Sequence, residues 1–456
     1  MEEAQFNDGF VNFEFACILS FFGVKYPQRE LVELNIEPNY KKATYYNTAR
    51  YPIRQPLALT GLIRLLSWGA LLGKDYKVER INMDGLKPPY LMLSTHMHFI
   101  DFELAATGTW PHRVNNVVNI DGYMGRPWLL ELIGAICTRK FTSDVHLVKS
   151  IHRVLKKGDV LGLYPEARYT LCGTTSYLPD SLGKLVRMMK VPVVVVKHRG
   201  NHLYAPCWDF RHKRKVPMHT TLEQVLTPEQ IKTMSVEEIN TCIQQAFEYD
   251  DYRYQKENNI RITEPYRAEG LHKVLYQCPH CGKEFAMKSE GAELYCSECG
   301  KRWLWEETGD LRALEGETEF THIPDWYEWE RQNVRKQVMD GTYRYEDTVD
   351  VHSMPGVWVW QHLGDARVTH DRENGFVLEG HYNGKDYRIQ RKPLESNSLH
   401  LEYDFRQLKP LDCFDISTEK DSFYCYPTID NVCTKLALAT EEIYAYATAK
   451  RKELQP

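Results

Sequence analysis

The chain has 456 residues, of which 43% are apolar and 26% charged, with a formal net charge of −5. That length allows about three domains, each with a core of its own, and the composition is that of a globular protein rather than a disordered or fibrous one. The mildly acidic balance argues against a dedicated nucleic-acid binder, so no nucleic acid is expected among the partners.

Glu2, Glu3 and Asp8 stand where a secretory leader would be positive, and no small-residue cleavage site comes after them, so no leader is expected. The two most apolar stretches, 10–24 and 57–72, carry Glu14 and Arg64. Both fall short of the roughly 20 residues a membrane helix needs, so the chain is not expected to span a bilayer. Of the twelve cysteines, four form two C-x-x-C pairs and the rest are scattered singly, which suits a reducing cytoplasm better than a disulfide framework.

Residues 1–54 read as an N-terminal extension, with a helix that packs on the main domain. The stretch 57–72 (LALTGLIRLLSWGALL) reads as a helix, either packed in a core or lying at a membrane interface with Trp68 and Arg64 at its edge. The stretch 76–89 (YKVERINMDGLKPP) reads as a strand, a turn at Asp84-Gly85 and a proline-rich entry into a second, buried strand at 90–93. After the second strand come Ser94 and Thr95, and a helical pattern begins at about Met97. His96 lies at that turn and Asp101 five residues on. A carboxylate accepting from one ring nitrogen fixes the imidazole tautomer and leaves the other nitrogen free to take a proton from an alcohol. His and Asp are also common at helix starts for capping reasons. Only His96, not His98, has the x4 spacing to Asp101.

Beyond this turn short β-rich runs (VNNVVNI, GAICTRKF, DVLGLYP, VPVVVVK) alternate with helical ones (RPWLLELIG, VHLVKSIHRVLKKG, DSLGKLVRMMK). Such alternation predicts an α/β layered domain with a largely parallel sheet, whose reactive groups gather beyond the carboxyl ends of strands. His96, Arg139 and Glu166 each come directly after an apolar run, so they are expected to converge on one edge. Capping boxes at Thr227-Pro-Glu-Gln230 and Ser235-Val-Glu-Glu238 open the helices that close this domain. The basic run Arg211-His-Lys-Arg-Lys215 reads as a solvated hairpin tip, or else as a patch for anionic lipid or the phosphates of coenzyme A.

Four ordered blocks, His96-M-H-F-I-Asp101, IGAICTR ending at Arg139, LYPEARYT around Glu166 and Arg168, and VPVVVV, resemble those of the glycerolipid acyltransferases, which include the 1-acylglycerol-3-phosphate O-acyltransferases. The resemblance spans roughly residues 55–260. It departs where Tyr164 replaces the family's phenylalanine, Ala167 its glycine, and Arg168 comes one position early. Arg139 lies five residues after Gly134, one fewer than the family spacing. The resemblance implies acyl transfer from a thioester, acyl-CoA or an acyl carrier protein, to the hydroxyl of lysophosphatidic acid. His96 would be the general base and Asp101 its orienting partner. Arg139 would bind the acceptor phosphate, and Glu166 and Arg168 would position the glycerol backbone and phosphate. No G-x-S-x-G elbow suggests an acyl-enzyme. The same blocks fit acylation of glycerol-3-phosphate or another lysolipid, or a catalytically inactive scaffold at a membrane.

Cys278-Pro-His-Cys281 and Cys296-Ser-Glu-Cys299 come next along the chain, separated by 14 residues, and a glycine directly succeeds each pair. This spacing predicts a tetrahedral zinc ribbon rather than a redox pair or two unrelated turns. Four protein thiolates leave no open position, so the ion would be structural, and His280 a bystander. Residues 318–339 read as a tryptophan-bearing helical connector. From Gly341 there are six alternating strand-like runs, with a two-residue hairpin signal at Asn383-Gly384 and an amphipathic helix at 429–452. Antiparallel strands closed by one helix have the layout of a pleckstrin-homology-like barrel.

The expected organisation is therefore an extension at 1–54, an αβα acyltransferase-like domain at 55–265, a zinc ribbon at 270–310, a helical connector at 311–340 and an antiparallel β domain at 341–456. The expected partners are a lysophospholipid, an acyl thioester, a membrane surface met peripherally from the cytoplasm at its inner face, and a protein bound through the ribbon or the β domain.

Overall fold

The computed structural model describes residues 46–142, 144–405 and 407–453. The apolar stretch at 10–24 and most of the expected N-terminal extension lie outside the described residues.

The first layered unit is built from alternation. Helix α1 (Leu57–Ala70) precedes strand β1 (Tyr76–Ile81) and strand β2 (Leu91–Ser94). Next come α2 (Ile100–Thr109), β3 (Val114–Asn119), α3 (Pro127–Leu132), β4 (Ile136–Thr138), α4 (Val145–Lys156) and β5 (Val160–Leu163). Helix α5 (Ser181–Met189), β6 (Val193–Arg199), the short α6 (Asn201–Tyr204), β7 (Met218–Leu226), α7 (Pro228–Thr233), α8 (Val236–Phe247) and α9 (Asp251–Glu257) complete it. The sheet runs β1-β7-β6-β2-β5-β3-β4. β7 is antiparallel to β6, and the other pairings are parallel.

All four residues of β2 are buried, as a strand covered on both faces requires. Leu91 and Leu93 pack with Ile151, Val154, Leu182, Val186 and Ile243 of α4, α5 and α8. Tyr90 and Met92 face the other side, with Ala105 of α2 and Leu222. The period-2 pattern thus sandwiches the strand between two apolar layers. Both capping boxes form: Thr227 with Gln230 at α7, and Ser235 with Glu238 at α8. The run 211–215 is solvated only in part, since Arg211 and Lys215 are exposed and Arg214 is not. Arg214 is fully buried, donates to the Arg267 carbonyl at 2.9 Å, pairs with Asp209 at 3.3 Å, and lies over the Trp208 ring.

A four-stranded antiparallel sheet comes next, ordered β11-β10-β9-β8: β8 (Met287–Glu290), β9 (Glu293–Cys296), β10 (Arg302–Trp305) and β11 (Leu311–Ala313). Helix α10 (Ile323–Asp340) leads to a third, antiparallel sheet of β12 (Arg344–Ser353), β13 (Gln361–Asp371), β14 (Gly375–Tyr382), β15 (Lys385–Arg391), β16 (His400–Glu402), β17 (Cys413–Ser417) and β18 (Ser422–Pro427), and then helix α11 (Cys433–Glu453). The order is β15-β14-β13-β12-β18-β17-β16, a seven-stranded meander in which the first strand pairs with the last. Asn383 and Gly384, both at positive φ, make the two-residue turn between β14 and β15. Strand β12 is the one the six expected runs omit. Its outward side chains (Arg344, Glu346, Thr348, Asp350) are polar, and only Tyr345, Val349 and Val351 alternate inward, so its apolar signal is thin.

Candidate active site and metal centre

The turn after β2 is shaped by one carboxylate. Asp101 is buried on the first turn of α2. Its Oδ2 accepts from the Met97 amide at 2.6 Å, the His98 amide at 3.0 Å and the His96 Nδ1 at 3.3 Å. Its Oδ1 accepts from the Asn201 side-chain amide at 2.7 Å. The helix consequently starts at Ile100, three residues later than the sequence pattern predicts, because the amides of Met97 and His98 turn back to the carboxylate. Burial pushes the Asp101 carboxyl up, but the imidazoles of His198 and His96 and the Met97 amide prevail and hold it at about 2.

His96 is 24% exposed at its side chain, so it borders solvent while most of the ring is enclosed. Its ring lies between Tyr164 and Tyr169, each with its centroid 4.3 Å away. Burial lowers its pKa, Asp101 raises it, and Lys140 and His400 lower it again; the net direction is down. A neutral imidazole whose Nδ1–H points to Asp101 carries its lone pair on Nε2, the state a general base requires. His98 does not compete. Its Nδ1 accepts from the Ile100 amide at 3.2 Å, and burial lowers its pKa to about 4.

Glu166 is buried directly behind His96. Its two oxygens accept from the His96 amide and the Ser176 amide, each at 2.8 Å, and burial pushes its pKa up to about 7. It therefore holds the His96 backbone rather than presenting a carboxylate to a substrate. Ala167 sits next to it at φ +55° in a turn closed by its amide on the Tyr164 carbonyl at 3.0 Å. A left-handed conformation favours glycine, the residue found here in the family whose blocks these resemble.

The two arginines expected to bind phosphate point elsewhere, and this corrects the sequence expectation. Arg139 is buried; its guanidinium donates to the carbonyls of Met354, Pro355 and Lys420 and to Ser422 Oγ, at 2.8–3.0 Å. Arg168, also buried, donates to Glu441 at 2.6 Å and to Ser398 at 3.2 Å. Glu441 is shared with Arg331 at 2.7 Å. Five of these acceptors lie in or beside the C-terminal sheet and one in α11, so both side chains anchor that sheet on the α/β layer.

The same docking brings new groups toward His96. Lys140, one residue past Arg139, contacts the His400 ring and lies 3.7 Å from Asp121. His400 Nδ1 bonds Asp415, and its Nε2 lies 3.4 Å from Glu402. Lys140 stands six residues after Gly134, the spacing to which the family pattern leads. Nothing local in the sequence marks His400 or Glu402 as neighbours of Lys140 and Asp121, because the third sheet alone brings those two here.

Cys278, Cys281, Cys296 and Cys299 converge with Sγ–Sγ distances of 3.8 Å for 278–299 and for 281–296. A disulfide needs about 2.05 Å, whereas the edge of a tetrahedron with ~2.3 Å metal–sulfur arms is roughly 3.8 Å. The two turns match: the amides of Gly282 and Gly300 donate to Cys278 and Cys296, each at 2.9 Å, with φ of +75° and +77°. This cluster can hold a metal ion, and its donors are compatible with zinc. His280 pairs with Glu319 at 3.4 Å instead.

No family model and no curated protein matches the chain. Among solved structures it is similar to the 1-acyl-sn-glycerophosphate (LPA) acyltransferase PlsC of Thermotoga maritima, at 15% identity over 45% of this chain and 81% of that chain, with a TM-score of 0.36. A likeness this distant carries no argument about the site.

Glu441, buried between two guanidinia, is pushed up by burial but held at about 2 by Arg331 and Arg168, against an ordinary 4.5. A depressed acid contributes stability above its unfolded value and loses it as pH falls, here on the order of 3 kcal/mol between about pH 4.5 and 2. Glu441→Gln should cost roughly 3–5 kcal/mol at neutral pH and flatten acid unfolding over that range, as read by denaturant titration; an unchanged acid limb would refute the assignment. Purified protein should also carry about one tightly held metal ion per chain. Cys281→Ser should lose it and melt at lower temperature, because so small a module draws on the order of 10 kcal/mol from its metal; stably folded, metal-free wild type would contradict this.

Proposed function

We propose that the chain transfers a fatty acyl group from a thioester, acyl-CoA or an acyl carrier protein, to the free hydroxyl of lysophosphatidic acid. The observation that carries this reading is the His96–Asp101 pair beyond the carboxyl end of central β2, with the imidazole bordering solvent and held neutral. His96 Nε2 takes the alcohol proton as the oxygen attacks the thioester carbonyl. Collapse of the tetrahedral adduct forms the ester and breaks the C–S bond, and the imidazolium returns its proton to the departing thiolate. Asp101 steadies the imidazolium. With Arg139 and Arg168 engaged elsewhere, Lys140 supplies the positive charge for the acceptor phosphate, since its ammonium lies within electrostatic reach of His96.

Peripheral membrane contact is supported by α1. The residues it buries are Thr60 and Ser67, whereas Leu57, Leu65, Trp68 and Leu72 stand exposed along one stripe, an apolar face of the kind an interfacial helix presents. No helix among the described residues is long and apolar enough to cross a membrane. An apolar cleft between α1 and α2, lined by Ile63, Met92, Phe102, Ala105 and Ile133, encloses about 40 Å³. At roughly 10–15 Å³ for each water that is room for only a few, so an acyl chain entering there would part the two helices. The four-cysteine site is read as a structural zinc centre. The meander with its closing α11 is read as a pleckstrin-homology-like module for a membrane or protein partner, at the inner face of the membrane in the cytoplasm.

A second reading, an inactive scaffold, is favoured by the engagement of Arg139 and Arg168. Turnover of acyl-CoA with lysophosphatidate decides between them. His96→Ala should lower kcat by roughly 10²–10⁴-fold, while Lys140→Met should raise the acceptor KM more than it lowers kcat. Equal turnover by wild type and His96→Ala, or none by wild type, would overturn the enzyme reading; preference for glycerol-3-phosphate would move the acceptor alone. For the membrane contact, co-sedimentation with anionic phospholipid vesicles should be lost in Leu65→Glu/Trp68→Glu, and unchanged sedimentation would reject it.

A further inference from the structure

We propose that Asp350, His352 and His362 form a binding site for a divalent transition metal of the nickel–copper–zinc class, separate from the four-cysteine centre. The three side chains lie on the face of the third sheet opposite to Val349 and Val351, with His352 buried, Asp350 half-buried and His362 exposed. Asp350 and His352 are two residues apart on β12 and so share a face. His362 comes from β13 through an irregularity in the ladder. Val351 pairs with Gly364, but His352 pairs with His362, so β13 carries one extra residue at this point. Gly364, at φ +84°, supplies the left-handed position such a bulge uses. Without the extra residue His352 would face Leu363, which is instead buried. The bulge therefore keeps a leucine in the core and sets a second imidazole beside the first.

The resulting geometry is that of a ligand set. The two imidazoles are stacked at 4.6 Å with planes 23° apart. Both direct Nε2 at one carboxylate: His362 to Oδ1 of Asp350 at 2.6 Å and His352 to Oδ2 at 3.3 Å. One donor atom from each residue lies within 4.8 Å of the others. Donors around an ion with ~2.1 Å bonds sit at most roughly 4.2 Å apart, so small side-chain movements close the shell. Two imidazoles and one carboxylate suit nickel, copper or zinc rather than calcium or magnesium. The charge requirement is already visible, because the Lys409 ammonium sits on Asp350 as a cation. Its side chain is 35% exposed, so it can leave for solvent when a divalent ion arrives. His362 is exposed and open to an incoming ion, and three protein ligands leave further coordination positions to water.

Titration of the full-length protein with Co²⁺, monitored by visible absorption, separates the two centres, since thiolate ligation gives a sulfur-to-cobalt charge-transfer band and imidazole–carboxylate ligation does not. Wild type should show a second equivalent of d–d absorption without added charge transfer, removable by EDTA. His362→Ala should weaken that equivalent at least 100-fold and leave the thiolate band unchanged. Lys409→Met, which removes the competing cation without touching a ligand, should tighten it several-fold. A single thiolate-bound equivalent in wild type, or a second equivalent unaffected by both substitutions, would overturn the proposal.

Discussion

The site depends on one buried anion. Asp101 lies within apolar layers, and a lone carboxylate there would be neutralised. Four donors prevent this: the amides of Met97 and His98, the imidazole of His96 and the side chain of Asn201. The same bonds bend the chain between β2 and α2, delay the helix by three residues and turn His96 outward between two tyrosines. Backbone conformation, helix start and imidazole orientation thus share a cause. Glu166 supports the loop from behind through the His96 amide.

A second constraint ties the ends of the molecule together. The guanidinia of Arg139 and Arg168 leave the α/β layer and end on the third sheet and α11. A buried charge stripped of its partner is costly, so the C-terminal sheet is bound to the region around His96 rather than tethered loosely behind it. Its docking carries His400 and Glu402 to Lys140 and Asp121. The His96 imidazole thereby gains neighbours from a segment whose His400 lies 260 residues beyond Lys140.

What could be read in the sequence was what local pattern decides. Strand β2, the alternation around it, both capping boxes, the Asn383-Gly384 turn and the four converging cysteines are all consequences of spacing and side-chain type. The His96–Asp101 contact was legible because five residues separate the partners. The destinations of Arg139 and Arg168 were not, since their acceptors lie 215 to 283 residues away, and an arginine after a strand reads alike whether it meets a phosphate or a carbonyl. Arg214 was hidden for a similar reason: a basic run looks solvated until Trp208, Trp305 and Asp209 close over one of its members. Strand β12 was lost behind its polar outward face, the face that holds Asp350 and His352.

The most direct measurement is the pH dependence of kcat/KM for acyl transfer, in wild type and in Lys140→Met. Burial and the nearby Lys140 and His400 hold the His96 pKa below its ordinary 6.5. Activity should therefore rise with pH through a midpoint below that value, and removing the Lys140 charge should move the midpoint upward. A midpoint at or above the ordinary imidazole value, or one that Lys140→Met leaves in place, would contradict His96 as the base.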